Sequence, residues 1–314
     1  MYWSPLKSDI LIRILWLFSL KTPKKRLNST LSLFLINNFN DLTLSDKNFN
    51  YYPTFWQAAN LIVIYIFIQT IIDLPLAIYD YNNGTDWLYK PLLKIPVFLG
   101  STLFILYLGY HYSRLPFNTV FAFKRFNWMI IPSMIIAFAG LQYFLNEINI
   151  HFEKILPPPG WFIELFTRLF ESDLGIWGGI LRIVIIAPIV EEVLFRGVIL
   201  SGFSRNYHPA VAIFSSALLF ALFHLNPWQF AAAFALGIIL GWIRIRTGSV
   251  LACIAGHASH NGLVFFTVYY YADLKEVSIM RHGVASNYVI HFVLFILGLS
   301  LIWILSKGIA KEKK

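Results

Sequence analysis

Charge is scarce in this chain. Of 314 residues only 13% are Asp, Glu, Lys or Arg, against 58% apolar, and the mean hydropathy is +0.64, which excludes an ordinary water-soluble domain. Cysteine is nearly absent too, and the single Cys253 rules out any disulfide within the chain. There is no internal repeat and no low-complexity tract. No secretory leader is expected either. The opening MYWSPLKSDILIRILWLFSLKTPKKR puts its apolar stretch before its basic cluster, the reverse of a signal peptide. A helix lying in the membrane interface, held by Trp16 and flanking bases, is expected there instead.

What the chain has in abundance is long apolar runs. Eight stretches reach the length of about 17 to 29 residues that a membrane-crossing helix requires, near 55–79, 93–113, 127–146, 175–203, 209–225, 227–246, 249–272 and 287–307. The expected fold is therefore all-α, a polytopic transmembrane helix bundle of about eight spans. Basic residues outnumber acidic ones, 25 to 16, and their placement argues against nucleic acid. With a cytoplasmic N-terminus, seventeen fall on inner segments and six on outer ones, which follows the positive-inside rule and puts both termini in the cytoplasm. The chain divides into a cytoplasmic or interfacial N-terminal segment (1–54), accessory spans (55–146), an outer amphipathic loop (147–174), a core (175–272), and a last span with a basic tail (273–314). The proline run of 156–159 blocks helix, and the apolar residues after it recur at helical spacing.

Ionisable groups inside hydrocarbon cost about 2.5 to 3.5 kcal/mol each on insertion scales and are functional candidates by default. Arg182, Glu191, Glu192 and Arg196 fall in the fourth run, His224 at the end of the fifth, and His257, His260 and Asn261 in the seventh. Glu192 and Arg196 stand at i and i+4, so they pair on one helix face. Glu191 is turned about 100° away and lacks that partner. The pair reads equally as a structural clamp between helices. His257 and Asn261 are again i and i+4, while His260 lies off their face and reads as a packed histidine. Cys253 lies one turn before His257 and reads as a small core residue rather than a nucleophile. Gly237 and Gly241 allow close helix packing.

A carboxylate, two imidazoles and an amide on three helices suit water activation: Glu191 takes a proton from water, the water attacks a carbonyl, and His257 and Asn261 donate to the oxyanion. The same residues also suit a divalent metal such as zinc, with Glu191, His224 and His257 as ligands and one position left for water. Both options stay open. One conflict arises. His224 lies about 22 Å along its run and His257 only about 12 Å along its own, so a tilt, or a break at Asn226-Pro227 beside a cavity, has to bring them together.

The motifs Glu191-Glu192-x-x-x-Arg196, Phe220-x-x-x-His224 and His257-x-x-x-Asn261, in that order, resemble the signatures of the CAAX protease and bacteriocin-processing (CPBP, or Abi) family over residues 170–270. The resemblance implies an intramembrane endopeptidase, with Glu191 catalytic, His257 and Asn261 binding the oxyanion, His224 essential, and Glu192 with Arg196 in support. It implies a peptide or protein substrate, with or without a lipidated C-terminus, membrane lipid as surroundings, and a multi-pass place in a bacterial cytoplasmic membrane. Eukaryotic and archaeal members trim prenylated CAAX proteins. Bacterial ones serve in bacteriocin processing, immunity or surface-protein display. Two other classes remain as alternatives: a proton-coupled transporter, which the missing repeat speaks against, and a non-enzymatic membrane scaffold.

Overall fold

A computed structural model describes residues 50–170, 174–273 and 285–310, and among these every regular element is helical. The expected interfacial helix at Trp16, nearly all of segment 1–54 and residues 311–314 lie outside them. The helices are α1 (Phe55–Asn83), α2 (Pro91–Ser113), α3 (Ile130–Ile155), α4 (Gly160–Phe170), α5 (176–206), α6 (Pro209–Phe223), α7 (Pro227–Thr247), α8 (Val250–Asp273) and α9 (Ala285–Ala310). The chain is an all-α polytopic bundle.

The boundaries follow local chemistry. Thr54 opens α1 with a capping box, its backbone N–H donating to Gln57 Oε1 at 2.9 Å. Pro91, Pro209 and Pro227 occupy the first turns of α2, α6 and α7, where the missing N–H leaves no intrahelical bond unmade. Gly248 closes α7 with φ +65°, the left-handed cap that glycine adopts without a Cβ clash. Asp73, ahead of Pro75, lies within α1 and pairs with Lys94 of α2.

Among the described residues six helices are long and apolar enough to cross a membrane: α1, α2, α3, α7, α8 and α9. In α1 and α9 only 17% of the apolar window is buried, against 44% in α3 and 39% in α7 and α8. The first two therefore face lipid along most of their length, and the last three form the interior. α9 lies along α3 at close range, where a Cβ on Gly140 would meet Phe295 N at 2.5 Å. α6 has 15 residues, about 22 Å at helical rise against the roughly 30 Å of hydrocarbon. Its turn into α7 is thus reached before a full crossing.

The α5 helix is continuous but unevenly wound. Ile180–Ile186 and Val193–Ile199 take the wider π turn, with Ala187 N–H donating to Arg182 O and Leu200 N–H to Phe195 O. Such widened turns cluster at functional sites. Between them, Ala187–Glu192 is α-helical and carries the two adjacent glutamates.

Candidate active site

The fully buried charges come first. Arg196 and Glu192 are both 0% exposed, and Arg196 Nη1 donates to Glu192 Oε1 at 2.6 Å. The remaining guanidinium edge donates from Nη2 to the carbonyl of Gly237 on α7 at 3.2 Å, and its face lies 4.6 Å from the Phe220 ring centroid on α6. One arginine thus ties together three helices in a region where water does not compete for its hydrogen bonds.

Glu192 has a second task. Its Oε1 also accepts from His257 Nδ1 of α8 at 2.8 Å. A carboxylate that only accepts fixes the imidazole proton on Nδ1 and turns Nε2 towards the remaining space. That Nε2 lies 3.9 Å from Glu191 Oε2, beyond direct hydrogen-bond reach but within range of a shared third partner. Glu191 Oε2 is buried and has no hydrogen-bond partner among the described residues. The two adjacent glutamates therefore differ: Glu192 is held by a cation and an imidazole, and Glu191 is open.

His224 is set by its own helix. Its Nδ1 lies 2.8 Å from the Phe220 carbonyl, which can only accept, so Nδ1 carries the proton and Nε2 has the free lone pair. α6 stops there: Leu225 takes φ +49°, and Asn226 caps α7 by accepting from the N–H groups of Trp228 and Gln229. The depth conflict seen in the sequence is met by a break at 224–226. Phe220, one turn earlier, spans the offset, its ring 4.9 Å from that of His224 and 5.7 Å from that of His257.

Asn261 is placed by an absence on another helix. In the π register of α5, the next donor after Ala187 would be residue 188 towards Ile183 O, but that residue is a proline and has no N–H. Asn261 Nδ2 donates to that carbonyl at 2.9 Å instead. One of its two amide hydrogens is thereby engaged in holding α8 to α5, and the other remains.

Glu191, His224, His257, His260 and Asn261 line one cavity of about 1030 Å³. Arg182 and Phe220 join them, and Trp161, Phe162 and Trp228 form an apolar wall. The wall is braced where Trp228 Nε1 donates to Leu156 O at 2.8 Å and the rings of Phe162 and Trp228 meet at 4.4 Å. Glu192 and Arg196 stand behind this lining rather than in it. The three residues set out as metal ligands, Glu191, His224 and His257, share the cavity, but among the described residues no three His, Cys, Asp or Glu side chains are disposed to hold an ion. Cys253 is buried, with its sulfur against the carbonyls of Leu240 and Ser249.

Two parts of the lining escape a reading by motif. His260, expected to be merely packed, does lie edge-on to Phe138 but also borders the cavity. Gln142 and Asn149 come from α3, a helix grouped by sequence with the accessory spans. The available signal was a set of carboxamides, Gln142, Asn146 and Asn149, at i, i+4 and i+7 in an otherwise apolar run.

Residues 173–263 match the family model described as type II CAAX prenyl endopeptidase Rce1-like. The match spans less than a third of the chain and contains all the motif residues, and it supports the CAAX protease resemblance carried by those motifs. At family level the match supports a CAAX-type intramembrane protease, and the apolar helices make the chain an integral multi-pass membrane protein. No curated protein and no solved structure matches the chain.

Proposed function

We propose that the protein is an endopeptidase that hydrolyses a peptide bond within the membrane, using Glu191 to activate water. The observation that carries this reading is the inequality of the two adjacent glutamates: Glu192 is engaged by Arg196 and His257, while Glu191 Oε2 is buried, faces His257 Nε2 at 3.9 Å and has no other partner. A water between Glu191 Oε2 and the imidazole loses a proton to the carboxylate and attacks the scissile carbonyl. The proton then passes from Glu191 to the leaving amine, so the carboxylate is regenerated. His224 Nε2, whose lone pair is free, accepts a hydrogen bond from the same water and orients it. Asn261 offers its second amide hydrogen to the oxyanion. His257 donates there from Nε2 in its doubly protonated form, with Nδ1 still held by Glu192.

The apolar wall suits a substrate presented from the membrane. A prenylated C-terminal peptide is the substrate class that the family description names, and an unmodified membrane peptide is the alternative. Purified protein is to be incubated with farnesylated and unmodified quenched-fluorescent peptides, as wild type and as Glu191→Gln, with and without chelator. Cleavage by the wild type that Glu191→Gln abolishes, while peptide binding persists, supports the reading. Equal behaviour of the two proteins overturns it in favour of transport or scaffolding. Chelator sensitivity assigns a metal.

A further inference from the structure

The mechanism leaves two buried polar atoms beside the cavity unused. Gln142 Oε1 on α3 and His260 Nε2 on α8 have no hydrogen-bond partner among the described residues, and both residues line the same space as Glu191. The two helices touch here: the His260 ring meets Phe138, one turn before Gln142, with centroids 5.5 Å apart. A buried acceptor left unsatisfied is destabilising, so two of them on one wall call for a ligand.

The chemistry of that ligand follows from the network. Asn261 donates through Nδ2 to Ile183 O, so its Oδ1 is the end that faces His260 Nδ1, at 3.4 Å. An amide oxygen only accepts, hence His260 Nδ1 holds the proton and Nε2 presents a bare lone pair. Gln142 Oε1 is likewise an acceptor. The wall therefore asks for donors. Three other carboxamides of the cavity bond within the protein: Asn149 Nδ2 with Glu153, Asn226 with the start of α7, and Gln229 Oε1 with Asn226. Away from Glu191 and Arg182, the lining is amide, imidazole, aromatic and aliphatic, which does not favour a charged side chain. A neutral donor that every peptide carries is its main-chain N–H.

We infer that Gln142 Oε1 and His260 Nε2 form a subsite that accepts hydrogen bonds from main-chain N–H groups of an extended peptide, and so set the register of the chain against Glu191. The inference rests on the endopeptidase reading and deepens it. Recognition at this wall depends on the backbone and not on side-chain identity. These are positioning residues, since neither touches the reacting atoms.

The test is a series of cleavable peptides in which one amide at a time, away from the scissile bond, is replaced by an ester. This removes a single N–H with little change of shape. In wild type, kcat/KM is expected to fall about 10-fold at one or two backbone positions, an N–H bond to a buried acceptor being worth on the order of 1.4 kcal/mol. In Gln142→Met and in His260→Phe, the penalty at one of these positions is expected to shrink to the level seen elsewhere. Gln142→Glu keeps a carbonyl acceptor and is expected to keep the penalty. Melting in detergent identifies variants that fail to fold. The same series is also read as Kd on Glu191→Gln, so a failed cleavage assay does not hide a binding effect. Ester penalties that are uniform along the peptide, or unchanged in both apolar variants, overturn the subsite. The endopeptidase reading falls separately, if Glu191→Gln cleaves like wild type.

Discussion

Arg196 is the residue on which the site's charge balance turns. Its planar fork reaches a carboxylate and a backbone carbonyl at once while its face covers Phe220, and a lysine, with one compact head group, makes only one of these contacts well. Arg196→Lys is expected to stay folded and lose at least about 10-fold in kcat/KM, since Glu192 then holds His257 less firmly. Arg196→Ala leaves the Glu192 carboxylate buried without its cation. Breaking such a pair costs about 3 to 5 kcal/mol and is expected to show as a large drop in Tm in detergent. Changing both, Glu192→Gln with Arg196→Met, removes the stranded charge and is expected to recover most of that stability without recovering activity. If the double variant melts as low as Arg196→Ala, the ion pair is not what holds these helices.

At the scale of elements, the winding of α5 and the closeness of α6 to α7 place the groups. Proline inside a helix ordinarily costs about 3 kcal/mol relative to alanine, yet Pro188 stands three residues before Glu191 and leaves Ile183 O to Asn261. Pro188→Ala supplies an N–H that competes for this carbonyl. The expected result is a split: thermal stability equal to or above wild type, and kcat lowered about 10-fold or more as Asn261 loses its anchor. A variant that gains stability and keeps full kcat contradicts this role for Asn261. Gly237 answers a different need. A Cβ there would lie 2.8 Å from Ala217 Cβ and 2.9 Å from its Cα, closer than packed carbons approach, and the same residue's carbonyl accepts from Arg196. Gly237→Leu is expected to separate α6 from α7, displacing both Phe220 and the Arg196 contact, and to abolish activity with a lowered Tm. Gly248→Ala, at the C-terminal cap of α7, has open space around it and is expected to cost only the strain of its positive φ, on the order of 1 kcal/mol.

At the scale of the whole molecule, the orientation of the described helices in the membrane is testable through cysteine. Cys253 is 0% exposed, so the wild-type chain is expected to be silent to thiol reagents. Asn82, near the end of α1, and Ser204, near the end of α5, are both exposed. If the positive-inside distribution sets the orientation, a membrane-impermeant maleimide labels Asn82→Cys in intact cells and labels Ser204→Cys only after permeabilisation. The opposite pattern inverts the topology.

Helix positions were legible in the sequence because each run answers to one local requirement, the satisfaction of backbone groups in hydrocarbon, and because prolines mark three of the starts. Residues 175–203 and 249–272 become α5 and α8 within a few positions. The Glu192–Arg196 pair was legible for the same reason, since partners four apart on one helix are set by its pitch. Contacts between helices were not, because they depend on crossing angles and rotations that no single segment encodes. Only the packed bundle decided that Glu192 also holds His257, that Asn261 answers a carbonyl freed by Pro188, and that His260 and Gln142 share a wall with Glu191. The sequence by itself determined which groups lie at membrane depth and which adjacent glutamate pairs along its own helix. The tertiary structure decided which atoms of those groups are left facing the cavity, because every hydrogen bond made to a neighbouring helix removes one donor or acceptor from the chemistry.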